Sequence, residues 1–245
     1  MNTSLIDLGE VISKACRRLL DLDPEIIEII VFGSTIYAPI HARDADLLVI
    51  TKCKKDYLNY IKAIEDLPID IDLVVFNAGE KPRNDLLINL FLGYKVLYGS
   101  GKVVKEWLKY VNIDVEEVYS RLRIAKKYFQ LALQTENKYD KDTLIRDAFN
   151  CLFQAYRLAS IYLGLRREEA GRWGKEIRRN LPSNLRREFE EAIKTLHIEY
   201  YYNGNYPHED KELEKTFKQW LKKTEEFINK AIKKYIPQLR SINMN

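Results

Sequence analysis

The chain has only three cysteines in 245 residues, Cys16, Cys53 and Cys151. They are odd in number, far apart and form no CxxC pair, so neither a disulfide framework nor a zinc site follows from them. They are expected to act as small buried hydrophobes. No apolar run approaches the roughly 18 residues that a membrane helix needs. The opening residues, MNTSLIDLGE, lack the basic-then-apolar order of a secretory leader. A cytoplasmic protein with no membrane partner is the expectation. Internal repeats and low-complexity segments are also missing.

What is present is ordinary for a folded protein. Hydrophobic residues make up 46% and charged residues 31%, too apolar a balance for disorder. The length allows one large domain or two small ones. The net charge of +4 is unevenly placed. Residues 1–112 carry 14 Lys and Arg against 16 Asp and Glu, while residues 113–245 carry 26 against 20. A basic second half can meet an anionic substrate; solvated helix faces account for it equally well.

Hydrophobic periodicity divides the chain in the same place. In the first half, residues 25–32 (EIIEIIVF), 45–51 (ADLLVIT) and 69–76 (IDIDLVVF) are β-branched runs and read as strands. Ser4 can cap a helix carrying Leu5, Leu8, Ile12, Cys16 and Leu19 on one face. Further helices are expected over 55–67 and 84–98, the second closed by Gly99 and Gly101. The second half has only helical spacing: one helix from Val115 through Ala132, one capped by Asp142 and running to Leu165, shorter ones at 168–179 and 184–196, and a last at 211–235. The expected architecture is an α+β domain with a small mixed sheet, residues 1–112, followed by an all-α helical bundle, residues 113–245.

The chemistry is concentrated in VFGSTIYAPIHARDADLLVI, residues 31–50. A strand ends at Gly33-Ser34, and nine residues later Asp44 and Asp46 open the next strand. Side chains alternate across a strand, so the two carboxylates share a face. Unpaired neighbours of like charge repel and resist burial. A divalent cation resolves that conflict, and oxygen-only ligands suit magnesium, or manganese, better than zinc. Asp70 and Asp72 lie among apolar residues of the third strand and also share a face. If the strands are neighbours, one of them can complete a three-carboxylate cluster. Glycine at a strand-to-helix turn lets backbone N–H groups approach a phosphate, and the serine hydroxyl can add a bond.

Gly33-Ser34, Asp44-Ala45-Asp46 and Ile71-Asp72-Leu73-Val74 together resemble the signature of the DNA polymerase beta nucleotidyltransferase superfamily, most of all its minimal nucleotidyltransferases. The resemblance covers roughly residues 25–100. It implies that Asp44 and Asp46 bind two Mg2+ ions, and that Asp72, in the family's Asp-Leu-Val form, helps hold one ion and activates the acceptor hydroxyl. It also implies that Gly33 and Ser34 contact the triphosphate. Many members have arginine after Gly-Ser; this chain has Thr35. The implied reaction is in-line attack on the α-phosphate of a nucleoside triphosphate, with transfer to an unidentified small molecule, nucleic-acid end or protein. A non-catalytic nucleotide-binding or toxin–antitoxin-like module is the alternative.

Residues 145–165, IRDAFNCLFQAYRLASIYLGL, more weakly resemble the HEPN-type helical domain that accompanies minimal nucleotidyltransferases. Some HEPN proteins cleave RNA with an arginine four to six residues before a histidine. His41, His197 and His208 have no arginine at that spacing, so a helical domain that walls the nucleotide or acceptor site is expected. The bundle can alternatively pair two copies as a homodimer. The tyrosines of residues 199–210 (EYYYNGNYPHED) can stack on a base or pack on neighbouring helices. Arg178, Arg179, Arg186 and Arg187 can contact phosphate or sit on solvated faces. Trp107, Trp173 and Trp220 read as core anchors.

Overall fold

The structure, a computed structural model, describes residues 7–37, 39, 42, 44–165 and 181–234. The chain forms two compact units, the first ending at Val111 and the second beginning at Asn112. The first is an α+β unit with a small mixed sheet, and the second is all-helical.

The first unit runs α1 (Leu8–Leu22), β1 (Ile26–Phe32), α2 (Ser34–Tyr37), β2 (Asp44–Thr51), α3 (Tyr57–Ile64), β3 (Asp70–Asn77), α4 (Asn84–Leu92), β4 (Tyr94–Tyr98) and α5 (Lys102–Leu108). Its four strands lie in the order β3-β2-β1-β4. β1 pairs antiparallel with β2 and β4, whereas β2 and β3 are parallel. The parallel pair is joined through α3, the kind of crossover that parallel strands require.

Period-two alternation splits the sheet residues between two faces. Ala45, Leu47 and Val49 face a core that also holds Ile29 and Val31 of β1, Val11, Ala15 and Leu19 of α1, and Tyr60 and Ile64 of α3. Leu48, Ile50 and Phe76 face the other way, where Phe76 meets Trp107 of α5 edge to face at 5.7 Å. Two buried carboxylates brace this framework. Asp23 accepts from Tyr60 Oη at 2.6 Å; burial and that bond together push the Tyr60 phenol up to about 12. Glu28 accepts from the backbone N–H of Val103 at 3.1 Å and of Val104 at 3.2 Å. It therefore caps α5 from a distant strand, where Gly101 provides no side-chain cap.

The structure corrects several sequence expectations. Residues 84–98 are not one helix. The helix stops at Leu92, and Tyr94–Tyr98 (YKVLY) forms a fourth strand on β1. Its aromatic and β-branched residues suit a pleated surface, and the free edge of β1 supplies the backbone partners. Gly99 ends that strand at φ +87, where a Cβ would overlap the Ile27 carbonyl oxygen. The first helix is capped by Asp7, which accepts from Gly9 N at 2.8 Å; Ser4 lies outside the described residues. Cys53 is exposed, unlike buried Cys151, because it follows the end of β2.

The second unit contains α6 (Val115–Gln134), α7 (Lys138–Leu165), α8 (Ser183–Ala192), which continues as a π-helix over Ile193–Tyr202, and α9 (Asp210–Asn229), which continues as a π-helix over Lys230–Lys234. α7 starts earlier than expected. Asn137 caps it, accepting from Tyr139 N at 2.9 Å. Asp142 instead bonds Arg146 Nε at 2.7 Å and accepts from the Tyr206 hydroxyl. The segment expected as a helix over 184–196 runs on to Tyr202 with wider, π-type bonding. Large side chains fill the core: Phe149, Phe153, Tyr156 and Phe227 are fully buried, each worth roughly 1.5–3 kcal/mol. Phe129 and Phe217 stack at 3.9 Å. The expected helix at 168–179, with Trp173, Arg178 and Arg179, lies outside the described residues, as do Tyr235 and His41.

Candidate active site

β1 delivers its chain to Gly33, which turns at φ +69 into the short helix α2. Glycine is required here for two reasons. Positive φ disfavours other residues. In addition, a Cβ at this position would overlap Asp46 Oδ2 and stand 2.7 Å from Asp46 Cγ. The space that a side chain would fill is thus occupied by the Asp46 carboxylate. Ser34, buried at the start of α2, donates its hydroxyl to Asp44 Oδ1 at 3.4 Å. Thr35 donates to the Phe32 carbonyl oxygen at 2.6 Å, so its hydroxyl is spent on the turn itself.

The parallel pairing of β2 with β3 places Asp44 beside Asp70 and Asp46 beside Asp72. Neighbouring strands lie about 4.8 Å apart, and paired residues point to the same face. All four aspartates therefore occupy one face at one end of the sheet, opposite the face covered by α1 and α3. Asp70 and Asp72 are exposed because β3 is an edge strand, while Asp44 and Asp46 are half-buried. Two like charges 4 Å apart repel by about 1 kcal/mol even in water.

This all-oxygen donor set has the chemistry of a hard divalent cation site, and the backbone register brings its members side by side. The side chains are less gathered. Among the described residues, no three His, Cys, Asp or Glu side chains converge closely enough to hold a metal ion. The structure thus juxtaposes Asp44, Asp46 and Asp72 on one face, with Gly33 and Ser34 against the first two. It adds Asp70 to the same face, beside Asp44.

The tyrosine-rich stretch behaves differently from a base-stacking platform. Tyr200 and Tyr206 pack on buried Phe149 at 4.6 and 6.2 Å, and Tyr201 and Tyr202 pack on His197 at 5.8 and 4.5 Å. His197 also stacks on Phe153 at 4.4 Å, and burial pushes its imidazole down to about 3. Trp107 and Trp220 are buried anchors. Arg186 donates to the Leu181 carbonyl oxygen at 3.4 Å, while Arg187 is exposed. Among the described residues, no helix is long and apolar enough to cross a membrane.

No protein-family model matches the chain, and no curated protein sequence matches it. Several solved structures are similar at low identity. A mutant of the toxin–antitoxin MntA–HpeT is similar over 54% of this chain and 100% of its own, at 18% identity and a TM-score of 0.34. A toxin–antitoxin structure with AMP-PNP is similar over 50% of this chain and 98% of its own, at 16% identity and a TM-score of 0.30. A nucleotidyltransferase-like protein from Exiguobacterium sibiricum 255-15 is similar over 96% of this chain and 81% of its own, at 16% identity and a TM-score of 0.28.

Proposed function

We propose that this protein is a magnesium-dependent nucleotidyltransferase, moving a nucleoside monophosphate from a triphosphate to an acceptor hydroxyl. One observation carries the reading: Asp46 is register-paired with Asp72 while its carboxylate fills the space left by Gly33. That arrangement gathers the strand-end glycine, the DxD pair and the third-strand aspartate at one end of one face. A structural role alone gives no reason for four carboxylates together on one face.

In this reading the backbone N–H groups of the Gly33-Ser34 turn hold the triphosphate, and Ser34 orients Asp44. Asp72 accepts the proton of the acceptor hydroxyl. The acceptor oxygen then bonds the α-phosphorus as the bond to the β-phosphate oxygen breaks, and pyrophosphate leaves. Asp44, Asp46 and Asp72 would hold the magnesium ions, which supply charge neutralisation of the attacking and leaving oxygens when bound. The chain contributes mainly position and electrostatics.

A nucleotide-binding module without turnover is the second reading, favoured by the absence of three convergent metal-holding side chains among the described residues. One experiment separates the two. The protein is incubated with magnesium and each triphosphate labelled at the α-phosphate, alone and with cell extract. Transfer of label with pyrophosphate release, lost in the Asp44→Asn/Asp46→Asn variant, supports the enzyme. Saturable binding without transfer under all conditions supports the module.

A further inference from the structure

α7 is the core helix of the second unit, and its exposure is confined to a stripe. Between Ile145 and Gly164 the only residues not buried are Arg146, Asp147, Asn150, Gln154 and Arg157, each of them half-buried. Arg146 is engaged inside the chain, with Asp142 at 2.7 Å and the Tyr201 carbonyl oxygen at 3.0 Å. The other four recur at 3-4-3 spacing, so they line one arc of the helix. A ladder of bonds runs along that arc. Arg157 Nη1 donates to Gln154 Oε1 at 2.7 Å, and Gln154 Nε2 donates to Asn150 Oδ1 at 3.5 Å. The ladder stops short of Asp147. Burial raises the Asp147 carboxyl above its ordinary range, and among the described residues no bond or opposite charge offsets it.

An apolar ridge borders the stripe. On α6, Ile124, Tyr128 and Leu131 repeat at helical spacing; Leu131 is exposed and the other two are half-buried. They lie on the flank opposite Lys126, which bridges to Glu225 of α9 at 3.1 Å. α9 meets α7 through Phe217 on Phe149 and Phe227 on Tyr156, positions on the far side of α7 from the stripe. Ridge and stripe therefore share the side of the α6–α7 pair that faces away from α9.

The stripe is symmetric about Leu152. Asp147 and Arg157 stand five residues to either side of it, and Asn150 and Gln154 stand two. A two-fold axis crossing α7 at Leu152 sets the helix antiparallel to its copy. Asp147 of each copy then faces Arg157 of the other, and Asn150 faces Gln154, so every contact is made twice. The two ion pairs lie about 15 Å apart along the helix. A parallel arrangement would set Asp147 against Asp147 and Arg157 against Arg157, which repels. We infer that this chain pairs with a second copy of itself through antiparallel α7 stripes, with Ile124, Tyr128 and Leu131 of α6 at the flank. The second copy supplies the opposite charge that Asp147 lacks, and polar groups matched across such a seam fix its register. A nucleic-acid backbone offers Asp147 no cation. The inference rests on α6 and α7 alone and stands or falls independently of the carboxylate site.

The test is the mass of the full chain in solution, measured by sedimentation equilibrium over a range of concentrations. The wild type is expected at twice the 28.9 kDa of one chain. Asp147→Arg sets two arginines against each other at both ends of the seam, and Arg157→Asp sets two aspartates. Each should raise the dimer dissociation constant at least about a hundredfold. The two variants complement each other, so mixing them should restore the dimer mass. The double variant Asp147→Arg/Arg157→Asp should restore it in a single chain. Circular dichroism checks that each variant is folded. If a charge reversal unfolds the chain, Asp147→Asn and Arg157→Gln take its place and should each weaken the dimer at least about tenfold. Four results overturn the proposal: a monomeric wild type, a dimer indifferent to both reversals, folded single variants that stay monomeric when mixed, or neutral variants as tightly paired as the wild type.

Discussion

Gly33→Ala is the most informative single change, because one methyl group tests the turn and the carboxylate together. At φ +69 an L-residue costs about 1–2 kcal/mol. The new Cβ would overlap Asp46 Oδ2 and lie 2.7 Å from Asp46 Cγ and 3.3 Å from Asp46 Cβ. Asp46 must then leave its rotamer, at about 0.5–1.5 kcal/mol, or the Phe32–Asp46 pairing must open. The expected destabilisation is about 2–3 kcal/mol by urea unfolding. The thermal shift given by magnesium and a nucleoside triphosphate should vanish, because Asp46 no longer lies where the turn can share a ligand with it. Asp46→Ala removes the overlap but not the dihedral cost. The double variant should therefore be about 1 kcal/mol more stable than the sum of the single losses implies. A Gly33→Ala protein within about 0.5 kcal/mol of wild type, or single losses that simply add, would refute this account of the turn.

Asp44→Asn with Asp46→Asn removes a like-charge pair; the metal-free protein should melt at an unchanged or higher temperature and lose all stabilisation by magnesium and nucleotide. Asp72→Ala should abolish label transfer while Asp70→Ala retains most of it, as followed by pyrophosphate release; the reverse order would reassign the third carboxylate. His197 is held neutral well below its ordinary value of about 6.5, so the unfolded chain takes up a proton that the folded chain refuses. Stability should therefore fall as pH drops from about 6.5 toward 3, and His197→Phe, which keeps the stack on Phe153, should flatten that fall in urea titrations between pH 6.5 and 5. Glu28→Leu strips the N–H groups of Val103 and Val104 of their acceptor inside the first unit and should cost about 2–4 kcal/mol, measured by chemical denaturation.

The local elements were legible in the sequence because they follow from short-range pattern. β-branched runs marked β1, β2 and β3 to within a residue or two, and alternation along each strand put Asp44 with Asp46 and Asp70 with Asp72. Helical stripes such as Val118, Leu122, Ala125, Phe129 and Ala132 foretold the buried face of α6. Only the tertiary structure decided which strands are neighbours. Residues of β2 and β3 are joined across the sheet by backbone hydrogen bonds, and no side-chain pattern encodes whether Asp46 will sit beside Asp72. For the same reason YKVLY looked like the tail of a helix until the free edge of β1 gave it partners. The cap at Asn137 and the π-helical run through His197 likewise depend on competing local donors and on long-range packing against Phe149 and Phe153.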